Sequence, residues 1–238
     1  MTDRGMRPRF ESEVTPPEEL FSRIRAAVAA TPASKTSTRL RITVAMAVVP
    51  FMTAAVLLVA SQIVYHRPAL RVDMGTHPTS QLLIVLLLVI GLTLSATLIA
   101  VGRGERGLGS GVISLFLVAL LVTPIYAVLT LVHPLEASGA AAASLAQLSP
   151  WGLRCLAIAA TVGLLVLFSF TAALRRSAPV ASRLRGAALG AAAGAWAGLG
   201  VFIFCPATEH RHLLVGHVLP IAIFTLLGLA AIPRALRP

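Results

Sequence analysis

Six apolar stretches, each near the twenty residues that a helix needs to cross a bilayer, leave this chain almost no alternative to a helical membrane bundle. They run Ile42–Val64, Gln81–Val101, Gly111–Val132, Leu156–Leu174, Leu184–Phe204 and Leu213–Ile232. In hydrocarbon every backbone N–H and C=O must be satisfied inside the protein, so spans of this composition are helices. Charged residues make up 12% of the chain, about half the share of a soluble domain. The expected class is all-α: a polytopic membrane domain of six helices over 42–238, preceded by a polar arm over 1–41. The arm holds no short apolar stretch ending in a cleavage pattern, so the first span is expected to act as an uncleaved signal anchor.

The net charge of +11 is explained by where the charge lies. Six spans put both ends of the chain on one side. That side collects 16 of the 20 Lys and Arg: eight in residues 1–41, then Arg103, Arg106, Arg175, Arg176, Arg183, Arg185, Arg234 and Arg237. The opposite side holds Arg67, Arg71, Arg154 and Arg211. The positive-inside rule then places both termini in the cytoplasm, and the basic loops meet anionic lipid heads rather than nucleic acid. Arginine outnumbers lysine 19 to one, a bias that suits a bacterium with a GC-rich genome.

This topology segregates the reactive side chains. His66 and His77 fall in the first outer loop, His133 begins the second, His210 and His212 lie in the third, and His217 starts span six. Both cysteines join them: Cys155 opens span four and Cys205 closes span five. Each cysteine is about 20 residues, hence roughly 30 Å, from its own edge of the basic turn Arg175–Arg185. Antiparallel packing of spans four and five would bring the two sulfurs to one depth on the outer side. A sensor, a disulfide clamp and a metal site all fit such a pair. Thiolate and neutral imidazole are the common ligands of zinc and copper, and disulfides persist outside the cytoplasm. His210 and His212 are the first candidates for a metal site with Cys205, which they closely follow in Cys-Pro-Ala-Thr-Glu-His-Arg-His. His217, deeper by a turn, reads more simply as a cap on the span. The plain alternative is that histidine fills outer loops because Arg and Lys are excluded from them. Any metal held there is expected to be a transient divalent ion, not a resident cofactor.

No Asp, Glu, Lys or Arg occupies the middle of a span, which argues against proton-coupled or ion transport. The Gly-rich stretch at 102–107 is a turn between spans and not a strand-to-helix junction, so it is no dinucleotide fingerprint. Nothing resembling a catalytic constellation is present, and the chain is not expected to be an enzyme. Span five is unusual. Gly186, Gly190, Gly194 and Gly198 recur every four residues with alanines between them, a groove that lets another helix approach closely. Pro50, Pro124 and Pro220 interrupt spans one, three and six, where each frees a backbone carbonyl.

In the arm, Thr15-Pro-Pro-Glu resembles a capping box with Pro16 at the first helical position, predicting a helix near 16–30. Leu20, Ile24 and Val28 line one face with Phe21 beside them. A helix this short is marginal alone and needs a partner for that face: a protein groove or the membrane surface. Glu11, Glu13, Glu18 and Glu19 weigh against the membrane.

Taken together, Cys155, the Gly186–Gly200 run and Cys205-Pro206 leading to His217, set within six spans, resemble the NrsF family of bacterial inner-membrane anti-sigma factors. The resemblance covers about 42–238. It implies that the protein holds an extracytoplasmic-function sigma factor inactive, with Cys155 and Cys205 sensing envelope stress such as heavy metal or oxidant. The alternative is a transport protein for a metal or small neutral solute.

Overall fold

The computed structural model describes residues 38–65, 79–102, 111–131, 150–175, 181–205 and 210–235, together with 18, 21–23 and 26. The chain divides into two units, Met1–Ser37 and Thr38–Pro238. In the first, Glu18, Phe21, Ser22, Arg23 and Ala26 are helical and exposed. Leu20, Ile24 and Val28 of the expected apolar face lie outside the described residues.

The second unit is all-α, with no strand among the described residues. Its helices are α1 (Thr38–Tyr65), α2 (Thr79–Val101), α3 (Val112–Leu131), α4 (Pro150–Leu174) and α5 (Ser182–Phe204). The last, α6, runs His210–Ala235 and contains a π-helical turn, Leu214–Val218. Each of the six is long and apolar enough to cross a membrane. Pro50 and Pro124 lie inside α1 and α3, and the helices continue through them.

Two boundaries differ from the sequence expectation in ways that matter for the site. α4 begins at Pro150, so Cys155 lies in its second turn instead of opening it; proline at a helix start loses no hydrogen bond, and the helix extends into its polar flank. α6 begins at His210, so His210 and His212 are helical instead of loop residues.

The helix α5 is the axis of the bundle. In its apolar stretch 89% of residues are buried, against 22–44% in the other five. Glycine and alanine make this possible, because small side chains let neighbouring backbones close in. A Cβ added at Gly186 or Gly190 would strike the backbone of α6 at Gly228 or Phe224. One at Gly194 would lie 2.5 Å from Ile221 Cα. Gly198 faces elsewhere: its Cβ would lie 2.8 Å from the ring of Tyr126 and 3.1 Å from the His217 carbonyl oxygen. The predicted groove is therefore a seam between α5 and α6 over three of its four glycines, and the fourth leaves room for α3 and the π turn.

Bulk enters α5 at Trp196, whose indole N–H donates to Thr97 Oγ1 at 3.1 Å. Thr97 Oγ1 donates in turn to the Thr93 carbonyl at 2.7 Å, and Thr93 Oγ1 to the Val89 carbonyl at 2.8 Å. This buried ladder ties α2 to α5 without leaving the indole donor unmet. At one end of the bundle Arg41 Nη1 donates to the Arg175 carbonyl at 3.2 Å, joining the start of α1 to the end of α4. The two cysteines lie at the other end.

Candidate functional site

Cys155 and Cys205, fifty residues apart in sequence, meet with their Sγ atoms 3.6 Å apart. Both are thiols not joined in a disulfide, and both are buried. The meeting follows from α4 and α5 running antiparallel from one turn: one cysteine lies near the start of its helix, the other just past the end of its own. Cys205 terminates α5 in an extended conformation, its N–H still bonded to the Val201 carbonyl.

Two imidazoles complete the group. His212 Nε2 lies 3.0 Å from Cys205 Sγ. The rings of His212 and His217 stand edge to face with centroids 5.5 Å apart. One ligand atom from each of Cys155, Cys205, His212 and His217 falls within 4.8 Å of all the others, and all four residues are buried.

The π turn is what aligns the histidines. Five residues overshoot one α-helical turn by about 140°, so positions 212 and 217 would diverge on a regular helix. A π turn closes with a five-residue step, as the Leu219 N–H bond to the Leu214 carbonyl shows. Pro220 follows immediately. It lacks the N–H that would bond the Gly216 carbonyl, and its ring opposes regular α packing there. Gly216 supplies clearance, since a Cβ on it would lie 2.9 Å from Cys155 Cβ and 3.7 Å from His212 Nε2.

Of the residues expected to bind metal, Cys205 and His212 are brought together, and His210 is not. Two residues on a helix point about 200° apart, so a His-x-His pair on α6 cannot share a site. His217, read from the sequence as a cap, is fully buried inside the group. The signal that could have found it is the combination of Gly216 and Pro220 flanking a histidine five residues after another. His66, His77 and His133 lie outside the described residues.

Two thiols and two imidazoles so gathered match a closed tetrahedral donor set. Two thiolates with one divalent cation are neutral in sum, which suits a site enclosed by apolar helices far better than a net charge does. The same pair of sulfurs is also close to disulfide distance: from 3.6 Å they must approach by about 1.5 Å to form a bond of about 2.05 Å.

A family described as negative regulator of sigma F, NrsF, matches residues 26–237, which is most of the chain. No curated protein and no solved structure matches it.

Proposed function

The chain belongs to the NrsF family of negative regulators of sigma F, and from that premise we propose that it holds an extracytoplasmic-function sigma factor inactive at a bacterial inner membrane and releases it when the Cys155–Cys205 site is chemically altered. The observation that carries the sensing half is the convergence of Cys155, Cys205, His212 and His217 within 4.8 Å. Such a site takes a borderline divalent ion such as zinc. Cys155 and Cys205 would bind as thiolates and His212 and His217 as neutral imidazoles, with the thiol protons released on binding. Oxidation of the pair to a disulfide is a second input to the same place, favoured by the 3.6 Å sulfur separation.

Cys155 belongs to α4, Cys205 ends α5 and the histidines belong to α6, so metal binding would link all three helices, whereas a disulfide would link α4 to α5 and bear on α6 through the His212 contact with Cys205; both act on α5, which shares the glycine seam with α6. Backbones in direct contact at Gly186, Gly190 and Gly228 cannot adjust by side-chain rotation. A change at the site therefore moves α5 and α6 as bodies, toward the basic end of the bundle. With both termini cytoplasmic, the arm shares a compartment with the basic loops, and its Leu20, Phe21, Ile24 and Val28 would grip the sigma factor while those loops meet lipid.

The test is partner capture from the native host with tagged full-length protein, a version lacking residues 1–41, and a Cys155→Ser, Cys205→Ser double variant. The reading expects a sigma factor retained by the full chain, lost from the truncation, and retained by the double variant even under metal or oxidant stress. Failure of any cytoplasmic protein to co-purify, with solute flux in liposomes, would instead establish the transport reading.

A further inference from the structure

The thiol pair has two different sides. Toward α6 it meets imidazoles. Toward α1 it meets an apolar crevice of about 10 Å³ lined by Leu57, Ala60, Ile158, Val201 and Phe204 with both cysteines. Leu57 and Val201 are buried, whereas Ala60, Ile158 and Phe204 are partly exposed, so the crevice leads outward between α1, α4 and α5. Ala60 is the last residue of the apolar stretch Leu40–Ala60 of α1 and lies five residues before the helix ends, which places the mouth at the edge of the apolar layer and not in a loop. Its volume corresponds to about one water-sized molecule. Apart from the two cysteines the walls offer no charged and no hydrogen-bonding side chain, and an ion brought there would lose its hydration without compensation.

We infer that this crevice is the entry path to the thiols and that it selects their oxidant: a small, neutral peroxide reaches Cys155 and Cys205 from the membrane side, and charged or bulky oxidants do not. The inference deepens the sensor reading above and rests on it for its biological consequence. The chemistry balances. The Cys205 sulfur, with His212 Nε2 beside it to take the thiol proton, attacks the peroxide. A sulfur–oxygen bond forms, the oxygen–oxygen bond breaks, and the leaving oxygen collects the proton and departs as water. The Cys155 sulfur then attacks the sulfenic sulfur of Cys205. The disulfide forms, the sulfur–oxygen bond breaks, and the hydroxyl leaves as a second water with the Cys155 proton. Two electrons pass from the thiols to the peroxide.

The experiment uses the full chain in lipid nanodiscs, reduced and stripped of metal with a chelator. Disulfide formation is followed by mass spectrometry with hydrogen peroxide, tert-butyl hydroperoxide and the peroxymonosulfate anion. Each rate is divided by that of the same reagent with free glutathione, which removes intrinsic reactivity. The expected result is a normalised rate for hydrogen peroxide at least tenfold above the other two. Ala60→Phe should slow hydrogen peroxide about tenfold, with thermal unfolding confirming that the variant is folded. Leu57→Ala, which widens the crevice, should speed tert-butyl hydroperoxide. Equal normalised rates, indifference to both variants, or no disulfide with any reagent would overturn the inference. Sigma-factor release is scored in parallel. Selective oxidation without release keeps the crevice and removes the sensor reading; release on unselective oxidation does the reverse.

Discussion

His212 Nε2 lies 3.0 Å from Cys205 Sγ, a contact made across the break between α5 and α6. It couples the helix end that carries a thiol to the first turn of the helix that carries both imidazoles.

Metal affinity should separate His217 from His210. With cobalt(II) as a spectroscopic probe, the wild-type chain is expected to show the intense visible bands of a tetrahedral thiolate site. His217→Ala should weaken binding on the order of 100-fold or more, because loss of a direct ligand should cost at least as much as the ~10–100-fold loss on removing an outer-shell partner. His210→Ala should leave both spectrum and affinity unchanged. Equal effects of the two substitutions would show that the ligand set is misidentified.

Acid should release the metal. Both sulfurs bind as thiolates, so metal binding displaces any thiol proton still held at the site, and affinity should fall as pH falls. Competition with a chromophoric chelator between about pH 6 and 8 measures the change. Affinity that is constant across this range would show that binding displaces no thiol proton.

Glycine-to-alanine substitutions should have opposite signs in α5 and α2. Gly190→Ala drives a methyl into the α6 backbone at Phe224 and should cost about 1–3 kcal/mol or more. A Cβ on Gly91 meets nothing within 4 Å, so Gly91→Ala should be neutral or add up to about 1 kcal/mol of helix stability. Unfolding in mixed micelles compares the two.

The bond between Trp196 and Thr97 should respond unequally to removal of its partners. Trp196→Phe removes the donor together with its need, and Thr97 still donates to Thr93, so the cost is about 1 kcal/mol. Thr97→Val leaves the indole N–H buried without an acceptor and should cost more, up to about 3 kcal/mol. The same unfolding assay reads both.

The six spans were legible because apolar length alone decides them in hydrocarbon. The meeting of Cys155 and Cys205 was legible because helical rise converts sequence distance into depth, and both cysteines lie about the same number of residues from one turn. His217 was not legible. A period of 3.6 residues sends it away from His212, and only the π turn beside Gly216 and Pro220 returns it. His210 lies outside the gathered group for the complementary reason: it is near Cys205 in sequence, but on a helix a two-residue step turns it away from His212. The seam glycines were visible as a repeat, but the repeat does not say which helix they meet. Gly198, in step with the other three, faces Tyr126 and the π turn instead.

The burial of α5 has a consequence for how the protein is made. The helix is the least apolar of the six by hydropathy, and its surroundings in the finished bundle are other helices, not lipid. A nascent chain must nevertheless hand it to the bilayer before α6 has been synthesised. Its glycine face then has only lipid tails to touch, which fill such a groove poorly. Insertion of α5 is thus a transient that α6 completes, and a ribosome stalled between the two would leave the membrane holding a helix with no stable place in it.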